Sequence, residues 1–383
     1  MSNEHAFREM FKYFGEAVTP EEYDLRSGPD GPKHDFMKLP TMIMDQVTKP
    51  LAKATNSYGT RFEYFCGIVL RPERSAVVGQ KNGVFCIGIY QGLLLSILEL
   101  SYWLFRSPRF LSDVGAASRM TQGPPTDHAS IPGGIWQHRV ANGLPHFSED
   151  LFDVPCEIRN GSAIQLMIEM VSFVVMHELA HIVCGHVGYY ENVLGASYIA
   201  EIDPRRDQGT SKEQIIQRAF EHDADLNAAK NTIETNVFKY LIFQGKNAAL
   251  LRRLKLIAPY LVLHLFIPNW FIRAARFEPD TTHPEPYKRA YALRKLMRTH
   301  PGMPEFRSEL VQESLARDLG GFASALADPS LLIANSEFAE QLWGAEVDEE
   351  YGLARDATSV AVPYGFSTGA VAHNRKKPSA PDT

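Results

Sequence analysis

Cysteine and positive charge are both scarce in this sequence, and each shortage excludes a class of protein. Four cysteines occur among 383 residues without a CxxC pair: Cys66, Cys86, Cys156 and Cys184. We therefore expect free thiols in a reducing cytoplasm rather than a disulfide framework. The formal net charge is −6, whereas nucleic-acid-binding domains normally carry a basic surface. The composition predicts a cytoplasmic protein without a nucleic-acid partner.

Long uninterrupted hydrophobic runs are also scarce. The first residues include acidic side chains and no extended apolar stretch, so we expect no secretory signal. The two internal segments weighed as membrane spans, residues 86–105 and 256–272, contain Glu99 and Pro268 among other interruptions. A spanning helix needs about 20 mostly apolar residues. We expect both segments to be buried core elements, with membrane association as the open alternative.

Turn residues and apolar periodicity divide the chain into three segments. We assign residues 1–60 to an N-terminal extension of helices and loops, 61–300 to a central domain, and 301–383 to a C-terminal helical extension with a flexible tail. Short β-rich runs predict strands around 61–90, with Asn82-Gly83 as a hairpin turn. Together with the helical patterns elsewhere, this predicts an α+β fold that is mainly helical with a small antiparallel sheet.

A strongly apolar helix predicted over 162–187 contains the sequence HELAH at positions 177–181. His177 and His181 are four residues apart, so their imidazoles share one helix face. Two histidines at this spacing can bind one Zn²⁺ ion, and Glu178 can then act as general base toward the water that the metal activates. The alternative is a pair of hydrogen-bonded core histidines.

A third ligand is expected downstream, because a zinc site that keeps one open position has three protein ligands. Glu221 and Asp225 are four apart in a second predicted helix, so they also share one face. Glu221 can complete the ligand set, and Asp225 can accept the outer N–H of a ligating histidine. His222 is the rival ligand, although it faces about 100° away from Glu221. A solvated acidic face is the other alternative.

A further histidine, His186, follows His181 by five residues. On a continuous helix it would lie half a turn out of phase with His177, which makes it a poor ligand of the same ion. We expect His186 to support the ligands from outside the coordination shell or to have a structural role.

HELAH followed by EHDAD at 221–225 resembles the glutamate-zincin metallopeptidases of the HtpX and CAAX-prenyl-protease type, which combine HExxH on one helix with ExxxD on a later one. The segment Thr282-His283-Pro284 with Arg289 beyond it extends the resemblance. By that resemblance, His283 would lie near the zinc-bound oxygen and stabilise the tetrahedral intermediate. The alternative is that His283 caps the helix after Pro284.

The longer stretch HELAHIVCGH also resembles the Lit-type phage-exclusion peptidases, whose motif is HExxH followed by a histidine at this distance. Both resemblances cover only about residues 165–230 and 282–293. The Lit resemblance implies a latent defence peptidase activated by a trigger, in which residues 1–160 would be the sensory or inhibitory part.

The site and the resemblances together predict a zincin-like fold and a cytoplasmic zinc metalloendopeptidase, a hydrolase acting on a protein or peptide substrate. In this hypothesis the sheet lies beside the HExxH helix, His177, His181 and Glu221 hold Zn²⁺, and Glu178 is the general base. A non-catalytic zinc-binding module is the alternative from another class. Substrate identity and oligomeric state have no signal in the sequence.

Overall fold

The computed structural model describes most of the chain in separate stretches, and every structural statement below concerns these residues. They are 2–19, 21–22, 38–120, 154–193, 195, 198–200, 211–234, 248–266, 286–299, 303–326 and, towards the C-terminus, 341, 343–345, 347–349, 352, 361 and 366.

The described residues are mostly helical, with one small sheet. The helices are α1 (Asn3–Phe11), α2 (Leu39–Val47), α3 (Gln91–Arg106), α4 (Glu157–Val183), α5 (His186–Val193), α6 (Ser211–Glu234), α7 (Ala248–Leu265), α8 (Pro286–Thr299) and α9 (Glu309–Leu326). The strands are β1 (Glu16–Val18), β2 (Tyr64–Leu70), β3 (Ala76–Lys81), β4 (Val84–Tyr90) and β5 (Tyr198–Ala200).

The sheet has the strand order β1-β2-β4-β3-β5 and is mixed, so the prediction of an antiparallel sheet was wrong in this respect. β2 and β4 pair in parallel, whereas the other neighbours are antiparallel. The reason is topological. The chain leaves β2, skips one position to form β3, and returns through a hairpin as β4, which fills the gap beside β2 and runs in the same direction.

The hairpin between β3 and β4 turns at Asn82-Gly83, as the sequence predicted. Asn82 and Gly83 have φ values of 53° and 81°, and a two-residue type I′ turn requires positive φ at both central positions. Lys81 and Val84 are consequently paired directly across the turn.

Helix α4 is the centre of the fold. It packs against α2, α3, α6 and α7 and against β3, and nearly every residue from its second turn onward is buried. The main core includes residues from all three predicted segments, among them Ile43, Leu179 and Phe322. Helix α4 therefore places its polar side chains in the interior, where each needs a partner.

Helix α1 covers the opposite face of the sheet. Phe7 and Phe11 lie directly over Gly67 and Gly88, which are paired in register between β2 and β4, and a Cβ at either glycine would meet a phenylalanine ring. Because both faces of the sheet are covered, β4 is buried along its whole length, which explains its continuous apolar sequence.

By length and composition, one helix of the described ranges, α4, could cross a membrane, and 94% of its most apolar window is buried inside the fold. Buried core helices pass the same test. Of the two segments weighed from the sequence, residues 92–105 are entirely buried within α3, and residues 256–265 are buried within α7.

Arg159, in the first turn of α4, is fully buried and organises the loop that follows α3. Its guanidinium donates five hydrogen bonds of 2.7–3.1 Å to backbone carbonyls, those of Phe105, Ser107, Phe110, Leu111 and Val114. A single side chain therefore satisfies carbonyl groups that would otherwise be buried without donors.

We expect Arg159→Met to lower the free energy of unfolding by at least about 3 kcal/mol, because each buried carbonyl left without a donor costs about 1–3 kcal/mol. Urea unfolding of the purified protein measures this. The matched control is Arg119→Met at an exposed position of the same region, which should stay within about 0.5 kcal/mol of wild type. Equal effects of the two substitutions would contradict the role of Arg159.

Glu169 is a buried carboxyl group two turns before the HELAH segment. Burial raises its pKa to about 7 from a reference of 4.5, which the charge of Lys255 and a hydrogen bond from Gln165 only partly oppose. The unfolded chain releases this proton at lower pH than the folded protein does. The stability that the protonated carboxyl group provides is therefore complete below about pH 4.5 and is lost as the pH rises through about 7.

We expect the stability of the wild type relative to Glu169→Gln to fall by about 2–3 kcal/mol between pH 5 and pH 8, because glutamine has no proton to lose. Urea unfolding across this pH range measures the difference. Glu157→Gln changes an exposed carboxylate of the same helix and should follow the wild type throughout. A constant difference between wild type and Glu169→Gln would exclude the raised pKa.

Candidate metal centre

Three potential ligands from α4 and α6 converge in the interior. His177 Nε2 and His181 Nε2 are 3.1 Å apart, and the Glu221 carboxylate lies 3.4 Å from the first and 3.6 Å from the second. All three side chains are buried, and their ligand atoms form a group that could hold a metal ion. These are the three ligands expected from the sequence, drawn from two helices that are far apart along the chain.

The spacing of these groups is compatible with one bound metal ion. Bonds of about 2.0–2.1 Å at tetrahedral angles place neighbouring ligand atoms of a zinc ion about 3.3 Å apart. His177 Nε2 and His181 Nε2 are 3.1 Å apart, while His177 Nε2 lies 3.4 Å from Glu221 Oε2 and His181 Nε2 lies 3.6 Å from the other oxygen, Oε1. Two imidazoles with one carboxylate form a donor set that suits zinc and leaves a fourth position open. The residues present therefore fit a metal ion such as zinc.

The close packing of α6 on α4 positions Glu221. Helix α6 packs against α4 and carries buried alanines, among them Ala224 and Ala228, and small side chains allow two helices to approach closely. Glu221 and Asp225 are one turn apart, so both point towards the HELAH helix. The alternative of a solvated acidic face does not apply, since both carboxylates are about 3% exposed or less.

Asp225 lies on the Nδ1 side of the His177 ring. Its Oδ1 lies 3.0 Å from His177 Nδ1, the contact expected for the residue that fixes the tautomer of a ligating histidine. With a proton on Nδ1, the lone pair of Nε2 faces Glu221 and His181. The structure thus places Asp225 against the ring nitrogen of His177 other than the one near Glu221, and its role in fixing the tautomer stays a prediction.

Arg289 of α8 fixes Asp225 in turn. Its guanidinium donates two hydrogen bonds to the carboxylate, from Nε at 2.9 Å and from Nη2 at 2.8 Å, and Nη2 also lies 3.6 Å from Glu221. Burial by itself raises the pKa of Asp225, but Arg289 and His177 lower it to about 2. The buried carboxylate thus stays ionised, accepts hydrogen bonds from Arg289 and lies beside the His177 ring.

The two histidines have opposite electrostatic environments. Burial alone lowers the pKa of His177, but its contacts with Asp225 and Glu221 outweigh burial and hold the pKa well above its usual value. Burial lowers the pKa of His181 well below its usual value, and the charge of Glu221 offsets this effect only in part. Without a metal ion, the surroundings of His177 therefore favour its cationic form, with a proton on both ring nitrogens. A bound metal ion would replace the proton on Nε2.

Glu178 follows His177 and is 3% exposed. Burial is the main reason why the pKa of the Cys66 thiol in β2 is raised, and the charges of Asp45 and Glu178 contribute. The Glu178 carboxylate is therefore buried, and its charge acts on the Cys66 thiol of β2.

His186 occupies a different position from the one that a continuous helix would give it. The sequence predicted one helix over 162–187, but α4 ends at Val183 and α5 begins at His186, because Gly185 adopts a φ of 87°. The turn brings His186 Nδ1 within 3.1 Å of His181 Nδ1, and the His186 ring stacks on Phe220 at 4.1 Å. His186 therefore contacts His181 from outside the group formed by His177, His181 and Glu221, and its supporting role stays a prediction.

Sequence reasoning missed a second group of potential ligands beside the first. Cys184, His186 and Asp223 place one sulfur, nitrogen or oxygen atom each within 4.8 Å of one another. The signal was present, because Cys184 and His186 flank the glycine that ends α4, and Asp223 lies two residues after Glu221. Their proximity depends on the turn at Gly185, which residue spacing on an unbroken helix cannot show.

The remaining candidates have the following places. His283 lies outside the described residues. His222 is buried but belongs to neither ligand group. Tyr189 and Tyr190, which follow His186 in α5, pack against Phe220, which is consistent with an ordinary packing role.

No family model matches the chain, and no curated protein or solved structure is significantly similar to it. The function therefore has to be argued from the site itself.

We expect Asp225→Asn to weaken zinc binding by about 10–100-fold, the usual effect of losing the group that orients a ligating histidine. The amide cannot accept from both His177 and Arg289 without placing an N–H against one of them. Competition with a chromophoric chelator measures the affinity. Glu234→Gln, an exposed carboxylate at the end of the same helix, is the control, and the role of Asp225 is excluded if both variants bind zinc as the wild type does.

Proposed function

We propose that this protein is a zinc-dependent endopeptidase that hydrolyses peptide bonds in a protein or peptide substrate. The observation that carries the proposal is the convergence of His177 Nε2, His181 Nε2 and Glu221 at zinc-like separations, with Glu178 next to one of these ligands in the chain. A structural zinc site is normally closed by four protein ligands. Three ligands and an adjacent carboxylate are instead typical of a hydrolytic site.

Each residue has a separate task in this proposal. His177, His181 and Glu221 would hold the ion, which when bound supplies Lewis acidity and lowers the pKa of water. Glu178 accepts the proton of the attacking water and passes it to the leaving amine. Asp225 and Arg289 keep His177 oriented. His283 remains a proposed oxyanion donor, on the resemblance to glutamate zincins alone.

The proposed zincin-like architecture agrees with the position of the sheet. Helix α4 packs against β3, and β5, paired to β3, ends the sheet on that side. An edge strand has unpaired backbone groups that can bind an extended peptide.

A latent peptidase is the second candidate, and the burial of the site favours it. Glu178 and the three ligands are each no more than 3% exposed, whereas a polypeptide substrate must reach both the general base and the open coordination position. A trigger that opens access to this site would convert a latent enzyme into an active one.

The test combines metal analysis with a cleavage assay on unfolded casein. We expect the wild type to hold about one zinc per chain, Glu221→Ala to lose it, and Glu178→Gln to keep it while cleavage falls by about 10²–10⁴-fold, the usual contribution of a general base. Glu157→Gln, which alters an exposed carboxylate of α4, is the control and should keep both properties.

The outcomes separate the hypotheses. Full zinc retention in Glu221→Ala excludes the three-ligand site. Zinc in both the wild type and Glu178→Gln, with cleavage by neither, favours the latent enzyme. Unchanged cleavage by Glu178→Gln refutes the assigned role of Glu178.

A further inference from the structure

We propose that Cys184, His186 and Asp223 form a second cation site, separate from the first, that takes a thiophilic divalent ion such as zinc. The three residues come from the turn after α4, the start of α5, and α6. Their potential ligand atoms lie within 4.8 Å of one another. Helix α6 therefore supplies Glu221 to one group and Asp223 to the other.

The orientation of His186 points to a cation. His186 is fully buried, and its Nε2 lies 3.2 Å from Asp223 Oδ2. Within the described part of the chain, neither atom has a hydrogen-bond partner, so the two are close without the alignment that an N–H···O bond requires. A buried nitrogen and a carboxylate oxygen that face each other in this way are costly unless something lies between them.

Cys184 makes the group selective for thiophilic ions. The residue is partly buried, and the Asp223 side chain is 20% exposed. Sulfur and imidazole donors favour zinc, cobalt or cadmium over magnesium and calcium, which prefer oxygen ligands.

Cobalt(II) is the probe, because a cobalt–thiolate bond gives a charge-transfer absorption that histidine and carboxylate ligands lack. Metal-free full-length protein is titrated with Co²⁺ while absorption and bound metal are recorded. We expect the thiolate band in the wild type and in Cys156→Ser, which alters another partly buried free cysteine. The band should disappear in Cys184→Ser and weaken in Asp223→Asn, two side chains outside the first ligand group.

The result is read independently of the proposed peptidase site. Retention of about one cobalt by Cys184→Ser reports the first site, and the thiolate band reports the second. A wild type that binds cobalt without this band, or a band that survives in Cys184→Ser, overturns the second site. Loss of the first site alone leaves the band intact, so the two failures are distinguishable.

Discussion

The burial of polar side chains on α4 is the constraint that organises this fold. An apolar helix at the centre of a protein can carry two histidines and a glutamate only if neighbouring elements supply charge and hydrogen bonds. Helix α6 supplies Glu221 and Asp225, and α8 supplies Arg289 to neutralise Asp225. Packing and site chemistry therefore specify the same arrangement, because the α4–α6 interface is also where the proposed ligands meet.

Spacing along a helix explains how much of the site could be predicted. His177 with His181, and Glu221 with Asp225, are pairs four residues apart, and the structure brings the two pairs into contact. The hairpin at Asn82-Gly83 was also predicted correctly, since its turn has a strong local signal. Features that depend on one helical turn or one tight turn were accessible from the sequence.

Features that depend on long-range topology were not accessible. The insertion of β4 between β2 and β3 makes the sheet mixed, and no local pattern distinguishes this pairing from an antiparallel one. The five carbonyls that Arg159 binds lie 45–54 residues away. The pairing of His186 with His181 depends on the end of α4 at Gly185, whose position differed from the prediction by only a few residues.

The link between Arg289 and Asp225 has a consequence for the order of folding. The two residues are 64 positions apart, and α4 and α6 both precede α8 in the chain. Until α8 docks, Glu221 and Asp225 are two neighbouring carboxylates without the buried guanidinium that offsets their repulsion. During synthesis from the N-terminus, the proposed metal centre would therefore mature only after α8 is made, later than the helices that carry His177, His181 and Glu221.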